Sequence, residues 1–227
     1  MHDSSDVTTR TSTVDEWTRA LAGTNGSPGG GAGAGVMLAI AASLMSMVAG
    51  YSERADGQSE RRAGGESSDL SELRARAHSL REDALRLADE DSAASSAFGA
   101  AYRLEKGPER DAAVRAASVD AARASSILGR RASEAVDDLE LLALHGNPAL
   151  IADVVVALGA LRAAITGART NVSFDLAAVS RAGESPEQVR EENPEVWSSV
   201  TLFDQARDRI DAITAAVDDR AAPTDHE

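Results

Sequence analysis

One carboxylate stands where the pattern of the chain calls for an apolar residue. Leu70, Leu73, Ala77, Leu80, Ala84 and Leu87 step by three and four, and the stripe resumes at Ala94 and Phe98. Asp91 fills the step between them. Carboxylates are almost never fully buried unless paired, and burial raises their pKa towards the range useful for moving protons. Asp91 is therefore the candidate catalytic acid–base. The competing reading is a register shift that leaves it in water beside Asp89 and Glu90.

The second candidate is a glycine cluster, Pro28-Gly29-Gly30-Gly31 running on to Gly35. Glycines that open a helix present bare backbone N–H groups, a natural seat for an anion or for close approach of a ligand. No Gly-Lys-Ser/Thr follows and no strand precedes, so neither a Walker loop nor a dinucleotide fingerprint is present. Close helix–helix packing through small residues is the alternative.

A third feature is one face of the helix that starts after Asn147. It carries Asp153, Ala157, Ala160, Ala164, Gly167, Asn171 and Asp175. Small residues with polar ends make a flat surface for another helix or a planar ligand. Asp153 and Asn171 are about 27 Å apart at helical rise, so they cannot touch the same small group within one subunit. As structural residues, Asp153 is a first-turn acid favoured by the helix dipole and Asn171 a polar bundle position. The four histidines, His2, His78, His145 and His226, lack metal-ligand spacing, and no nucleophile elbow is present. No metal site is expected.

These residues need helices to position them. Residues 14–22 read as a short helix with Thr13 as cap and Glu16 at capping-box spacing. A loop over 23–31 leads into an apolar helix to residue 51. Residues 52–68, rich in Gly, Ser, Arg and Glu, read as a flexible connector. A long helix from Asp69 breaks at Gly107-Pro108, and a second runs from about 109 to 144. His145-Gly146 stops it, and Asn147-Pro148 opens the next helix, to about residue 180. A loop with Gly183, Pro186 and Pro194 precedes a last helix carrying Val196, Val200, Phe203, Ile210 and Ile213. Residues 1–12 and 220–227 read as disordered, leaving one helical domain over 13–219. The expected fold is an all-α, single-domain bundle of about five to six helices, dimeric because the helix at 31–51 is apolar around most of its circumference.

Composition supports this. The 227 residues include 45 alanines and only 7 aromatics, which suits helices and all but excludes a β-sandwich or barrel. There is no cysteine, which removes thiol catalysis, disulfides and iron–sulfur clusters. The net charge of −14 argues against nucleic acid as a partner. No charge lies between Arg19 and Glu53, so that stretch is long enough for a bilayer. Glycines and serines dilute it, however, and neither a Lys/Arg cluster nor an aromatic belt brackets it. A buried bundle helix, in a cytoplasmic protein without a membrane partner, is the expectation.

Three segments in order resemble one family. S-P-G-G-G-A-G-A-G (27–35), D-E-D-S-A (89–93), and G-N-P-A-L-I-A-D (146–153) with A-R-T-N-V (168–172) are similar to the cyclodeaminase/cyclohydrolase family. This family comprises the cyclodeaminase domain of formiminotransferase-cyclodeaminase and the methenyltetrahydrofolate cyclohydrolases. The chain departs from the family pattern at Ala32, Ser95 and Asp175. The resemblance implies an all-helical homodimer with a folate site near the subunit interface. It also implies chemistry on a tetrahydrofolate derivative as substrate, with no tightly bound cofactor. Under it, Asp91 is the acid–base, while Pro28, Gly29, Gly30, Gly31, Asp89, Asn147, Asp153, Asn171 and Asp175 line the substrate. The rival reading is a non-catalytic dimeric member that binds a folate-like ligand or only a protein partner.

Overall fold

The computed structural model describes residues 7–24, 26–58, 66–181 and 185–221. Among these, eight α-helices and no strand are found: α1 Val14–Leu21, α2 Gly30–Gln58, α3 Glu66–Tyr102, α4 Pro108–Glu134, α5 Val136–His145, α6 Ile151–Arg181, α7 Pro186–Glu192 and α8 Pro194–Ala221. The all-α expectation holds. The helix count is larger than expected for two reasons, both local.

The first is a break at Ala135. Its N–H reaches back only three residues, to Ala132, so the ladder tightens there and α5 starts afresh. Both sides of the break keep apolar residues facing inward (Leu128, Ala132, Val136, Leu139), and for that reason the stripe reads as one helix. The second is α7, inside the stretch expected to be a loop. Ser185 accepts from the Gln188 N–H at 3.2 Å and Gln188 returns a bond to the Ser185 N–H at 2.9 Å, with Pro186 at the first helical position. Val189 anchors this turn in the core.

The expected connector at 52–68 is also shorter than read. Helix α2 continues to Gln58 and α3 begins at Glu66. Ser52 is buried, and its hydroxyl donates to the Val48 carbonyl at 2.8 Å as the helix runs on. Only 59–65 remain of that segment, outside the described residues, as do 1–6 and 222–227. Residues 7–12, expected to be disordered, form a turn closed by the Ser12 N–H on the Thr8 carbonyl at 3.2 Å.

Helices α2 and α3 form an antiparallel pair in very close contact. A methyl added at Gly35 would lie 2.7 Å from the Ala88 Cβ, so only glycine permits this approach. Helix α6 packs against α2, α4, α5 and α8 and forms the centre of the bundle. Leu158, Leu161, Ile165 and Val172 from α6 meet Leu38 and Met45 of α2, Leu128 of α4, and Phe203 and Ile210 of α8 in one core. Two bidentate pairs on the rim tie α6 to α8. Arg162 holds Asp211 at 2.5 and 2.8 Å, and Arg169 holds Asp204 at 2.7 and 3.1 Å. Such surface pairs add about 0–1 kcal/mol each, so the apolar seam dominates.

Two helices, Gly30–Arg54 and Pro148–Arg181, are long and apolar enough to cross a membrane by length and composition. The apolar residues Leu38, Ala41, Met45 and Val48 of the first are buried within the bundle. What remains outside is a ridge on α2 with Met37, Ile40 and Tyr51 exposed, and on α6 Val156 and Phe174.

Candidate active site

The start of α2 has no side-chain cap of its own, because the residue before Gly30 is Gly29. The first turn of any helix leaves N–H groups without intrahelical partners. Asp91, from the facing turn of α3, lies against this first turn, where the Ala32 N–H and the Ser95 side chain act on its carboxylate. The two helices are so close here that a Cβ on Gly31 would fall 2.1 Å from Asp91 Oδ1. Ser27 and Ser96 meet through their hydroxyls at 3.0 Å just beyond.

Asp91 is only 6% exposed, and its Oδ2 is buried without a hydrogen-bond partner. Burial pushes its carboxyl above the ordinary carboxylate range, while the Ala32 N–H and the Ser95 side chain pull the other way. The apolar-stripe argument is therefore right about position. Asp91 points into the bundle rather than to water.

The glycine cluster divides into two kinds. Gly31 and Gly35 are packing residues, each with a neighbour where a side chain would begin. Gly29 and Gly30 have nothing within 4 Å of an added Cβ. Pro28 is buried under the turn, Gly29 half-buried and Gly30 exposed. The packing reading thus applies to Gly31 and Gly35, and Gly29 and Gly30 are left open.

On α6, Asp175 is 8% exposed, on the same buried face as Val172, Leu176 and Val179. Its carboxyl is pushed up to about 7, first by burial and then by the negative charge of Asp91. Asn171 lies one turn earlier, half-buried. The remaining candidates lie elsewhere. Asp89 is half-buried and its Oδ1 accepts the Thr9 N–H at 2.7 Å, so it secures the segment ahead of α1. Arg10 reinforces that contact through Glu82 at 2.9 Å. Asn147 accepts the Ala149 N–H at 3.0 Å, and its own N–H donates to Ser52 Oγ at 2.8 Å. Asp153 is half-buried in the first turn of α6. It lies 22 residues before Asp175 on the same helix, about 33 Å away at helical rise.

The structure therefore brings Gly31, Asp91 and Asp175 to one end of the α2–α3–α6 core, with Asn171 a turn away, and leaves Asn147 and Asp153 at the other. No group of three or more metal-ligating side chains occurs among the described residues. Sequence reasoning missed the electrostatic coupling of Asp91 to Asp175. The available signal was that both interrupt apolar stripes on their helices.

The sequence model of the formiminotransferase-cyclodeaminase family matches residues 13–192. The chain belongs to this family. Among solved structures, it is similar to a formiminotetrahydrofolate cyclodeaminase from Thermotoga maritima, with a TM-score of 0.72 and 21% identity. The match covers 91% of this chain and 98% of the other, and establishes a shared fold. No curated protein matches the sequence. Within the family match fall every candidate residue above and helices α1 to α7, whereas all of α8 lies beyond it.

Proposed function

We propose that the chain is a folate one-carbon enzyme in which Asp91 is the general acid–base. Its substrate is formimino-tetrahydrofolate, losing ammonia to give methenyl-tetrahydrofolate, or methenyl-tetrahydrofolate, hydrolysed to formyl-tetrahydrofolate. In the first reaction one folate nitrogen attacks the formimino carbon and the tetrahedral adduct expels ammonia. In the second, water attacks the methenyl bridge and the ring opens. Each needs a group that takes a proton from the nucleophile, with a pKa near working pH. The observation that carries this reading is the buried Asp91 carboxylate, one oxygen free of partners, at the open glycine start of α2.

A homodimer is part of the same reading. Asp153 and Asn147 cannot reach a ligand seated at Asp91 of their own subunit, and a second copy laid against the apolar ridge of α2 would supply them. The pterin edge offers paired donors that suit a carboxylate such as Asp153. Gly29 and Gly30, open to an approaching ligand, suit the pocket wall. A cytoplasmic protein without a tightly bound cofactor, nucleic acid or membrane partner completes the proposal.

The test is turnover followed by absorbance, with formimino and methenyl substrates run side by side. Conversion of one of them supports the reading and chooses the reaction. Conversion of neither, in a protein that is folded and dimeric by light scattering, overturns it.

A further inference from the structure

Two carboxylates buried at one end of a bundle normally come with a cation, and among the described residues no cation acts on either of these. Helix α2 is without charge from Gly30 to Ser52. On α3, Glu90 pairs with Arg86 at 2.6 Å and Asp89 binds the Thr9 N–H. On α4, Arg110 lies over the Tyr102 ring and Arg115 binds Glu192 of α7. On α6 itself, Arg169 is held by Asp204 of α8 and Arg181 lies over the Phe174 ring. The acids of α5, Asp137, Asp138 and Glu140, face Arg209 and Arg76. Among the described residues, the charge that acts on Asp175 is that of Asp91.

The register of the helices brings both acids to the entry of α2. Helices α2 and α6 run antiparallel, joined at one end by Asn147 and Ser52 and further along by Gly167 against Ala34, whose Cβ would be 3.1 Å from a methyl on that glycine. Eight residues beyond Gly167, about 12 Å at helical rise, Asp175 comes level with the loop that enters α2. Asp91 touches Gly31 in the first turn of the same helix. Both acids are more than nine-tenths buried, and Asp91 Oδ2 has no partner. Like charges so placed, without a cation, favour one shared proton over two ionised groups.

We propose that Asp91 and Asp175 act as a pair carrying one proton, in which Asp91 accepts the proton of the attacking nitrogen or water and Asp175 holds the proton delivered to the departing nitrogen. This rests on the reading of Asp91 given above and adds Asp175 to the machinery. In deamination of the amidinium substrate the attacking nitrogen gives one proton to Asp91 and the departing ammonia takes one from Asp175. In hydrolysis water gives one proton to Asp91, the leaving ring nitrogen takes one from Asp175, and the carbinol O–H releases a second proton to solvent as the carbonyl forms. Exchange with solvent then restores the pair. The account explains why a carboxylate, and not an amide, is useful at residue 175: an amide cannot supply a proton.

Two readings test it. The first is a carbon-13 titration of aspartate side chains in the whole protein, in the wild type, Asp91→Asn and Asp175→Asn. The wild type should show Asp175 titrating near neutral pH, and its midpoint should fall by about one pH unit or more in Asp91→Asn. A midpoint unmoved by loss of Asp91 overturns the pair. The second is the pH dependence of kcat/KM on the folate substrate. The alkaline fall set by ionisation of Asp175 should be present in the wild type and absent in Asp175→Asn, with turnover reduced at least about tenfold. An unchanged profile with unchanged rate overturns the pair while leaving Asp91 as the catalyst. Coupled titration in a protein that converts neither folate keeps the pair and removes the reading it rests on. If Asp175→Asn does not fold, Asp175→Ser removes the same charge and is read in the same two ways.

Discussion

The two ends of helix α6 treat their polar groups in opposite ways. At the start, Asn147 caps its own helix turn, its N–H is held by Ser52, and Asp153 sits where the helix dipole favours an acid. Every one of these contacts lowers the free energy of the fold. Near the far end, Asp175 and Asp91 are buried with no cation acting on them among the described residues, and Asp91 keeps an oxygen with no partner. Such a group costs free energy unless something binds or titrates there. Local rules are often broken where function needs them broken, and on the proposed reading the Asp91 end is the chemical one.

The comparison can be broken most strongly at Asp91. Replacement by Asn should lower turnover by about 10²–10⁴-fold, the usual contribution of a positioned acid–base group. Next in size is Gly31→Ala. Its methyl falls on the Asp91 carboxylate and displaces it, and overpacking of this kind costs about 1–3 kcal/mol. Thermal melting should fall and turnover with it. Gly30→Ala, in open space, should leave melting unchanged while lowering folate affinity. A melting temperature that drops in Gly30→Ala would return that residue to packing.

A third effect depends on pH. The Asp175 carboxyl rises from 3.8 to about 7 on folding, so the folded state binds the proton more tightly than the unfolded chain. Its stabilising contribution is full below about pH 4 and is lost as pH rises through about 7. Asp175→Asn removes this dependence. Its melting temperature relative to the wild type should climb between pH 4 and 7 and level off above, by on the order of ten degrees in all. A constant difference across that range would contradict the burial argument. The smallest effect belongs to the other end. Ser52→Ala loses the bond to the Asn147 N–H, worth about 0.5–1.5 kcal/mol, with no change in the shape of the pH–rate profile.

Much of the fold was legible because it is written locally. The capping box of Thr13 and Glu16 is present at 3.2 and 2.9 Å, and Asn147-Pro148 opens the turn that leads into α6. The stripe from Leu70 to Leu87 faces the core, and Asp91 shares its inward direction. The break at Ala135 was not legible, since the apolar stripe crosses it without interruption. Helix α7 carried a readable signal, Ser185 three residues before Gln188, hidden among prolines that suggested a loop. The contact of Thr9 with Asp89 spans 80 residues, and the coupling of Asp91 with Asp175 depends on how α2, α3 and α6 pack. Spacing within one helix holds no information about either.

The most direct test of the central claim uses one preparation of Asp91→Asn, melted and assayed with both folate substrates beside the wild type. The account predicts that turnover is nearly abolished while the melting temperature at pH 8 is equal or higher, because a costly buried charge has been removed. Full turnover in this variant, or a loss of turnover matched by a collapse in melting temperature, would contradict it.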